Sequence, residues 1–94
     1  MSRPLVLVVE DDPDGARSVA EAVEEAGFEA VVAGRAEEGL AVFAEQRPAV
    51  LLTDLVLPDF DGVELMLRVR RVDPHTPARV DLITLRPRSH AMPL

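Results

Sequence analysis

Hydrophobic positions change their spacing six times along the 94-residue chain, and each change marks a predicted element. Leu5 to Val9 is an unbroken, β-branched apolar run, the pattern of a strand covered on both faces in a parallel sheet. Asp12 then reads as a helix N-cap. Pro13 stands where its missing N–H costs nothing, and Asp14 adds charge suited to the positive end of a helix dipole. Ala16, Val19, Ala20, Val23 and Ala26 recur at three- and four-residue steps along one face, and Gly27 closes the helix.

Glu29 to Ala33 predicts a second strand and Gly34 a turn. From Ala36 to Gln46, the residues Ala36, Leu40, Phe43 and Ala44 form a second helical stripe, stopped before Pro48. Val50 to Leu52 predicts a buried strand that delivers Asp54 into a loop punctuated by Pro58 and Gly62. Asp61 with Glu64 three residues on is a capping-box pattern, opening a third helix in which Leu65, Val69 and Val72 share a side. Asp73-Pro74 ends that helix. Val80 to Leu85 is the candidate fourth strand, although Arg79 and Asp81 interrupt what should be a buried run.

Strand and helix alternate, which implies parallel strands joined by right-handed crossovers in an open α/β sheet. One domain is expected over residues 1–85, with a tail over 86–94. A chain this short buries only roughly 60 to 70% of its unfolded surface, so its stability is expected to be marginal.

Composition narrows the function classes. The net charge of −7 argues against a general nucleic-acid surface. With no cysteine, disulfides and thiolate metal sites are excluded, and the chain shows neither a signal-peptide pattern nor an apolar stretch of spanning length, so a cytoplasmic location is expected. All ten basic residues are arginine. Residues 1–78 carry seven Arg against sixteen acids, whereas 79–94 carry three against one, so the last stretch is compositionally distinct.

The candidate chemistry lies at two strand ends. Asp54 alone would be read as the start of a turn, but Glu10-Asp11-Asp12 also follows an apolar run, and two strands ending in carboxylates suggest a shared site. If those strands are neighbours, Glu10, Asp11 and Asp54 converge on one crevice, where they repel unless a cation sits among them. All-oxygen ligation of that kind suits Mg²⁺. A carboxylate beside the ion can serve as the nucleophile that forms an aspartyl phosphate.

Val8-Val9-Glu10-Asp11-Asp12-Pro13, Leu51 to Pro58 and Asp61-Gly62, in this order and spacing, resemble the receiver domain of two-component response regulators. The resemblance covers Leu5 to Pro77. It implies a flavodoxin-like, three-layer α/β/α fold with strand order 2-1-3-4-5, here incomplete at three to four strands. By position it implies Asp54 as phospho-acceptor, Glu10 and Asp11 as the acidic pair holding Mg²⁺, and the Val56 backbone carbonyl as a further metal ligand. A sensor histidine kinase or phosphotransfer protein is the implied partner, and the implied role is phosphorelay signalling, without enzymatic turnover.

The departures from the pattern are specific. Thr84 is the candidate for the family's phosphate-sensing hydroxyl, followed by bulky Leu85 and Arg86. The family's lysine has no counterpart, and arginine's planar fork is not an equivalent point charge. An alternative reading is therefore a truncated or frame-shifted receiver, acting as a phosphorylation-independent binding module or surviving as a remnant. Loss of the later helices would leave apolar surface through which the chain self-associates. Asp12-Pro13-Asp14-Gly15 also resembles the opening of haloacid-dehalogenase-type phosphatases, but Pro13 favours a helix start, and that family too needs a lysine.

Overall fold

A computed structural model describes residues 3–72 and the backbone of 79–82. Its elements run β1 (Leu5–Val9), α1 (Pro13–Glu25), β2 (Glu29–Ala33), α2 (Ala36–Gln46), β3 (Val50–Thr53), α3 (Gly62–Val72) and β4 (Arg79–Leu82). The four strands form one parallel sheet in the order β2-β1-β3-β4. This is the expected order as far as it extends. The predicted limits of the first two strands match the observed ones, because each apolar run is bracketed by polar or turn-forming residues.

The helix ends follow from local chemistry. Asp12, in extended conformation, accepts a hydrogen bond from the Gly15 amide at 3.0 Å and so caps α1. Gly27 has φ +99°, a left-handed conformation that glycine adopts without strain, and it turns the chain out of α1. At α3 only half of the capping box forms. Asp61 Oδ1 accepts from the Glu64 amide at 2.8 Å, while the Glu64 carboxylate instead pairs with Arg68 Nε at 2.8 Å.

The two faces of the sheet differ. Leu7 and Val9 of β1, Leu51 of β3 and Ala33 of β2 pack with Phe43, Leu65 and Val69 into a closed core under α2 and α3. On the α1 face Val6 and Val8 are buried, but Val50 and Leu52 are only half-buried, so the expectation of a uniformly buried third strand is corrected to an alternating one. Strand alternation puts those two side chains on the face that α1 covers incompletely.

The second helix also corrects its predicted stripe. Ala44 is exposed, and Gly39 is buried against β1. A Cβ on Gly39 would stand 2.8 Å from Val9 Cγ2, closer than van der Waals contact allows. Glycine is there because α2 passes so near the strand. Gly39→Ala is expected to lose about 1 to 3 kcal/mol through overpacking, although alanine is intrinsically the better helix residue by about 1 kcal/mol. A denaturation midpoint at or above the parent's would contradict the close contact.

The candidate fourth strand begins at Arg79, one residue earlier than predicted. Residues 83–85, Thr84 among them, and the predicted 86–94 tail lie outside the described residues.

Candidate functional site

Each acidic residue is set at its strand end by the sheet's own hydrogen bonds. The Glu10 amide donates to the Ala33 carbonyl at 3.0 Å, and the Asp54 amide donates to the Val9 carbonyl at 3.0 Å, so the ladder continues one residue past β1 and β3. That places Glu10 and Asp54 on adjacent strands at the carboxyl edge, where β1 leads to β2 on one side and borders β3 on the other. Such a switch point is the general ligand crevice of open parallel sheets.

The side chains converge there. Glu10, Asp11 and Asp54 each bring a carboxylate oxygen within 4.8 Å of the others. Glu10 and Asp54 are only 2% exposed, whereas Asp11 faces solvent. Glu10 Oε2 accepts from the Asp12 amide at 2.7 Å, which turns the carboxylate across the start of α1. Glu10 Oε1 and Asp54 Oδ2 are buried in the crevice. For an ionised pair at that separation the repulsion is on the order of 3 kcal/mol at an effective dielectric of about 20. Three oxygen donors of like charge, two of them buried, make a donor set suited to a small hard cation such as Mg²⁺.

The remaining predicted positions flank this centre. Val56 is 63% exposed in the loop beyond Asp54. Pro58 is exposed as well, while Gly62 is buried and its amide closes the loop by donating to the Leu55 carbonyl at 2.8 Å. Asp12 is not part of the acidic cluster. Its carboxylate caps α1, which leaves the phosphatase-like reading of Asp12 and Asp14 without structural support.

A family model, described as the response regulator receiver domain, matches residues 6–86. The chain belongs to this family. Among curated relatives, this receiver domain is 40% identical over 72 residues to the transcriptional regulatory protein TrcR of Mycobacterium tuberculosis, covering 77% of this chain and 28% of that protein. It is 38% identical over 74 residues to a response regulator receiver protein of Anaeromyxobacter, covering 79% of this chain and 31% of the relative. The chain thus spans less than a third of the length of either protein. Among solved structures, a receiver domain of Methylobacillus flagellatus superposes with a TM-score of 0.83 at 24% identity, over 88% of this chain and 70% of the other, which shows the fold. A sensor protein from Polaromonas superposes at 0.81 with 34% identity, over 87% and 66%.

Two residues that brace the surroundings of Asp54 are not singled out by the sequence pattern. Thr53, fully buried, donates its hydroxyl to the Asp54 backbone carbonyl at 2.9 Å, fastening the turn out of β3. Asp59 is the second. Its Oδ1 and Oδ2 accept from the Ala36 and Glu37 amides at 2.9 and 2.7 Å, capping α2 from the loop that follows Asp54. The α2 N-cap residue, Arg35, provides no side-chain bond of its own. That lack was the available signal, since the first amides of a helix need acceptors from somewhere.

Partial desolvation acts to raise the Asp59 pKa, but the amide bonds from Glu37, Ala36 and the local backbone outweigh it and hold the carboxyl below its ordinary 3.8. A lowered carboxyl pKa contributes stability above the unfolded value and loses it as pH falls through the folded one. Asp59→Ala is therefore expected to cost about 1 kcal/mol at neutral pH, by analogy with loss of a helix cap, and the gap between variant and parent should close below pH 3.8. Paired thermal melts across that range check it; a gap that persists unchanged in acid would remove the capping explanation.

Proposed function

We propose that this receiver domain accepts a phosphoryl group on Asp54 from a histidine kinase or phosphotransfer partner in the cytoplasm, with Mg²⁺ at the acidic crevice. The observation that carries the reading is the meeting of Glu10, Asp11 and Asp54 within 4.8 Å at the carboxyl ends of two adjacent strands. Glu10, Asp11 and Asp54, with the backbone carbonyl of Val56, would hold the ion. When bound, it supplies neutralising charge for the carboxylates and the incoming phosphoryl oxygens.

The chain's own contribution is position. An Asp54 carboxylate oxygen attacks phosphorus, the new O–P bond forms, and the bond from phosphorus to the donor breaks with its electron pair leaving on the donor. The ladder bond from the Asp54 amide to Val9 and the Thr53 hydroxyl on the Asp54 carbonyl keep the nucleophile's backbone from shifting. The loop after Asp54 is tied at Asp59 to α2 and closed at Gly62, so the nucleophile stands beside a braced wall. Phosphoryl transfer asks mainly for positioning and charge compensation, which this arrangement can provide.

No lysine occurs in the 94 residues, so none of them offers an ammonium on a flexible stem to pair with the new phosphoryl oxygens. Acceptance by these 94 residues alone is therefore expected to be slow. Incubation with acetyl phosphate and Mg²⁺ should add one phosphoryl mass in intact-mass spectrometry, and both metal removal and Asp54→Asn should abolish the addition. Equal labelling of Asp54→Asn would overturn the assignment.

A further inference from the structure

The loop that leaves Asp54 is held at two places by opposite means. Leu57 is buried in the core cluster with Phe43 and Leu65, whereas Asp59, exposed, is fixed by its carboxylate to the Ala36 and Glu37 amides at 2.9 and 2.7 Å. Between Val56 and Asp59 stand only Leu57 and Pro58, and the proline ring fixes φ there, so the loop has few torsions in which to absorb a displacement of Asp59. Freedom gained at Asp59 therefore reaches the Val56 backbone.

The other side of the contact leads back to the same centre. Ala36 and Glu37 open α2, Gly39 of that helix abuts Val9, and the Val9 carbonyl accepts from the Asp54 amide at 3.0 Å. Asp54, its loop, Asp59, α2 and Val9 thus form a closed ring of contacts. Opening the ring at Asp59 also strips the start of α2, since Arg35 at the N-cap has no side-chain bond to offer the released amides.

We propose that Asp59 is a positioning residue for the ion site, such that its cap on α2 and a divalent cation in the acidic crevice strengthen one another. The coupling rests on Glu10, Asp11, Asp54 and the Val56 carbonyl as the ion's ligands, as proposed above. A cation that takes the Val56 carbonyl restricts the loop, and a loop already restricted by Asp59 loses less freedom when the cation binds. Linkage makes the effect reciprocal. The factor by which loss of the cap weakens the cation is the factor by which the cation protects the cap.

NMR titration of the 94-residue chain with MgCl₂, against NaCl at matched ionic strength, gives the Mg²⁺ Kd, and amide hydrogen exchange with and without saturating Mg²⁺ gives the reciprocal quantity. Asp59→Ala should raise the Kd about fivefold or more, and Asp59→Asn, which keeps one acceptor oxygen but puts a donor nitrogen in place of the other, should fall between. In the parent, Mg²⁺ should slow exchange of the Ala36 and Glu37 amides by the same factor, over and above its effect at Arg47. The Arg47 amide bonds to Phe43 at the other end of α2 and so reports general stabilisation. The exchange measurement needs no variant, and thermal melts verify that each variant is folded at the titration temperature. A cap with a merely structural role would lower the melting temperature of Asp59→Ala and leave the Kd and the exchange difference unchanged. That result would overturn the proposal while leaving the ion site intact, and so would equal slowing at Ala36, Glu37 and Arg47. A parent with no saturable response to Mg²⁺ would remove the ion site and the coupling together.

Discussion

Glu10 and Asp54 are carboxylates buried side by side at the ends of adjacent parallel strands, and the backbone rather than the side chains holds them there. The amide of Asp54 bonds to Val9 and that of Glu10 to Ala33, so neither residue can retreat to solvent without opening the sheet. Burying like charges opposes folding, and a protein that retains such an arrangement must offset it elsewhere. Part of the offset is visible in the amide of Asp12 on Glu10 and in the positive end of α1 beside the cluster. A bound cation would supply more, and because it binds only where the three carboxylates meet, it would favour the folded chain.

The surroundings of this centre are braced from several directions. Thr53 secures the carbonyl of Asp54, Gly62 closes the following loop, and Asp59 ties that loop to the first amides of α2. Arg68 lies 4.2 Å over the Phe60 ring while pairing with Glu64, so the loop is joined to α3 as well. α2 in turn presses on Val9 through Gly39, one residue before Glu10. Stiffness near the acidic cluster thus comes from contacts between consecutive helices and the loop. The α1 face, with Val50 and Leu52 half-buried, has no comparable closure among the described residues.

Much of this was legible in the sequence, and the misses have physical causes. The strands at Leu5–Val9 and Glu29–Ala33, the caps at Asp12 and Asp61, and the grouping of Glu10, Asp11 with Asp54 all follow from local pattern and strand alternation. Gly39 does not register as a core position in the hydrophobic pattern because glycine has no apolar side chain, although its absence of a Cβ is what the packing requires. Asp59 escapes any local rule because its partners lie 22 and 23 residues away. The half-buried state of Val50 and Leu52 could not be read from an apolar run, since such a run tells what should be covered and not what covers it. Arg79 begins β4 although its charge argued against a strand. The backbone pairing with Val50 decides there, irrespective of the side chain.

Glu10, Asp11 and Asp54 lie close enough to hold one cation, and a cation bound there would be coupled to folding. Thermal unfolding in Mg²⁺, compared with sodium chloride at matched ionic strength, tests it most directly in the parent and in Asp11→Asn. Mg²⁺ at ten times its Kd should stabilise the parent by about 1.4 kcal/mol, a rise in Tm of roughly 4 to 8 °C for each kcal/mol, while sodium, which screens every surface charge alike, should not reproduce it. Asp11→Asn should melt higher than the parent without metal, because one repulsive charge is gone, and should respond less to Mg²⁺. Equal shifts from Mg²⁺ and sodium in both proteins would contradict the account and leave the three carboxylates as neighbours without a common ligand.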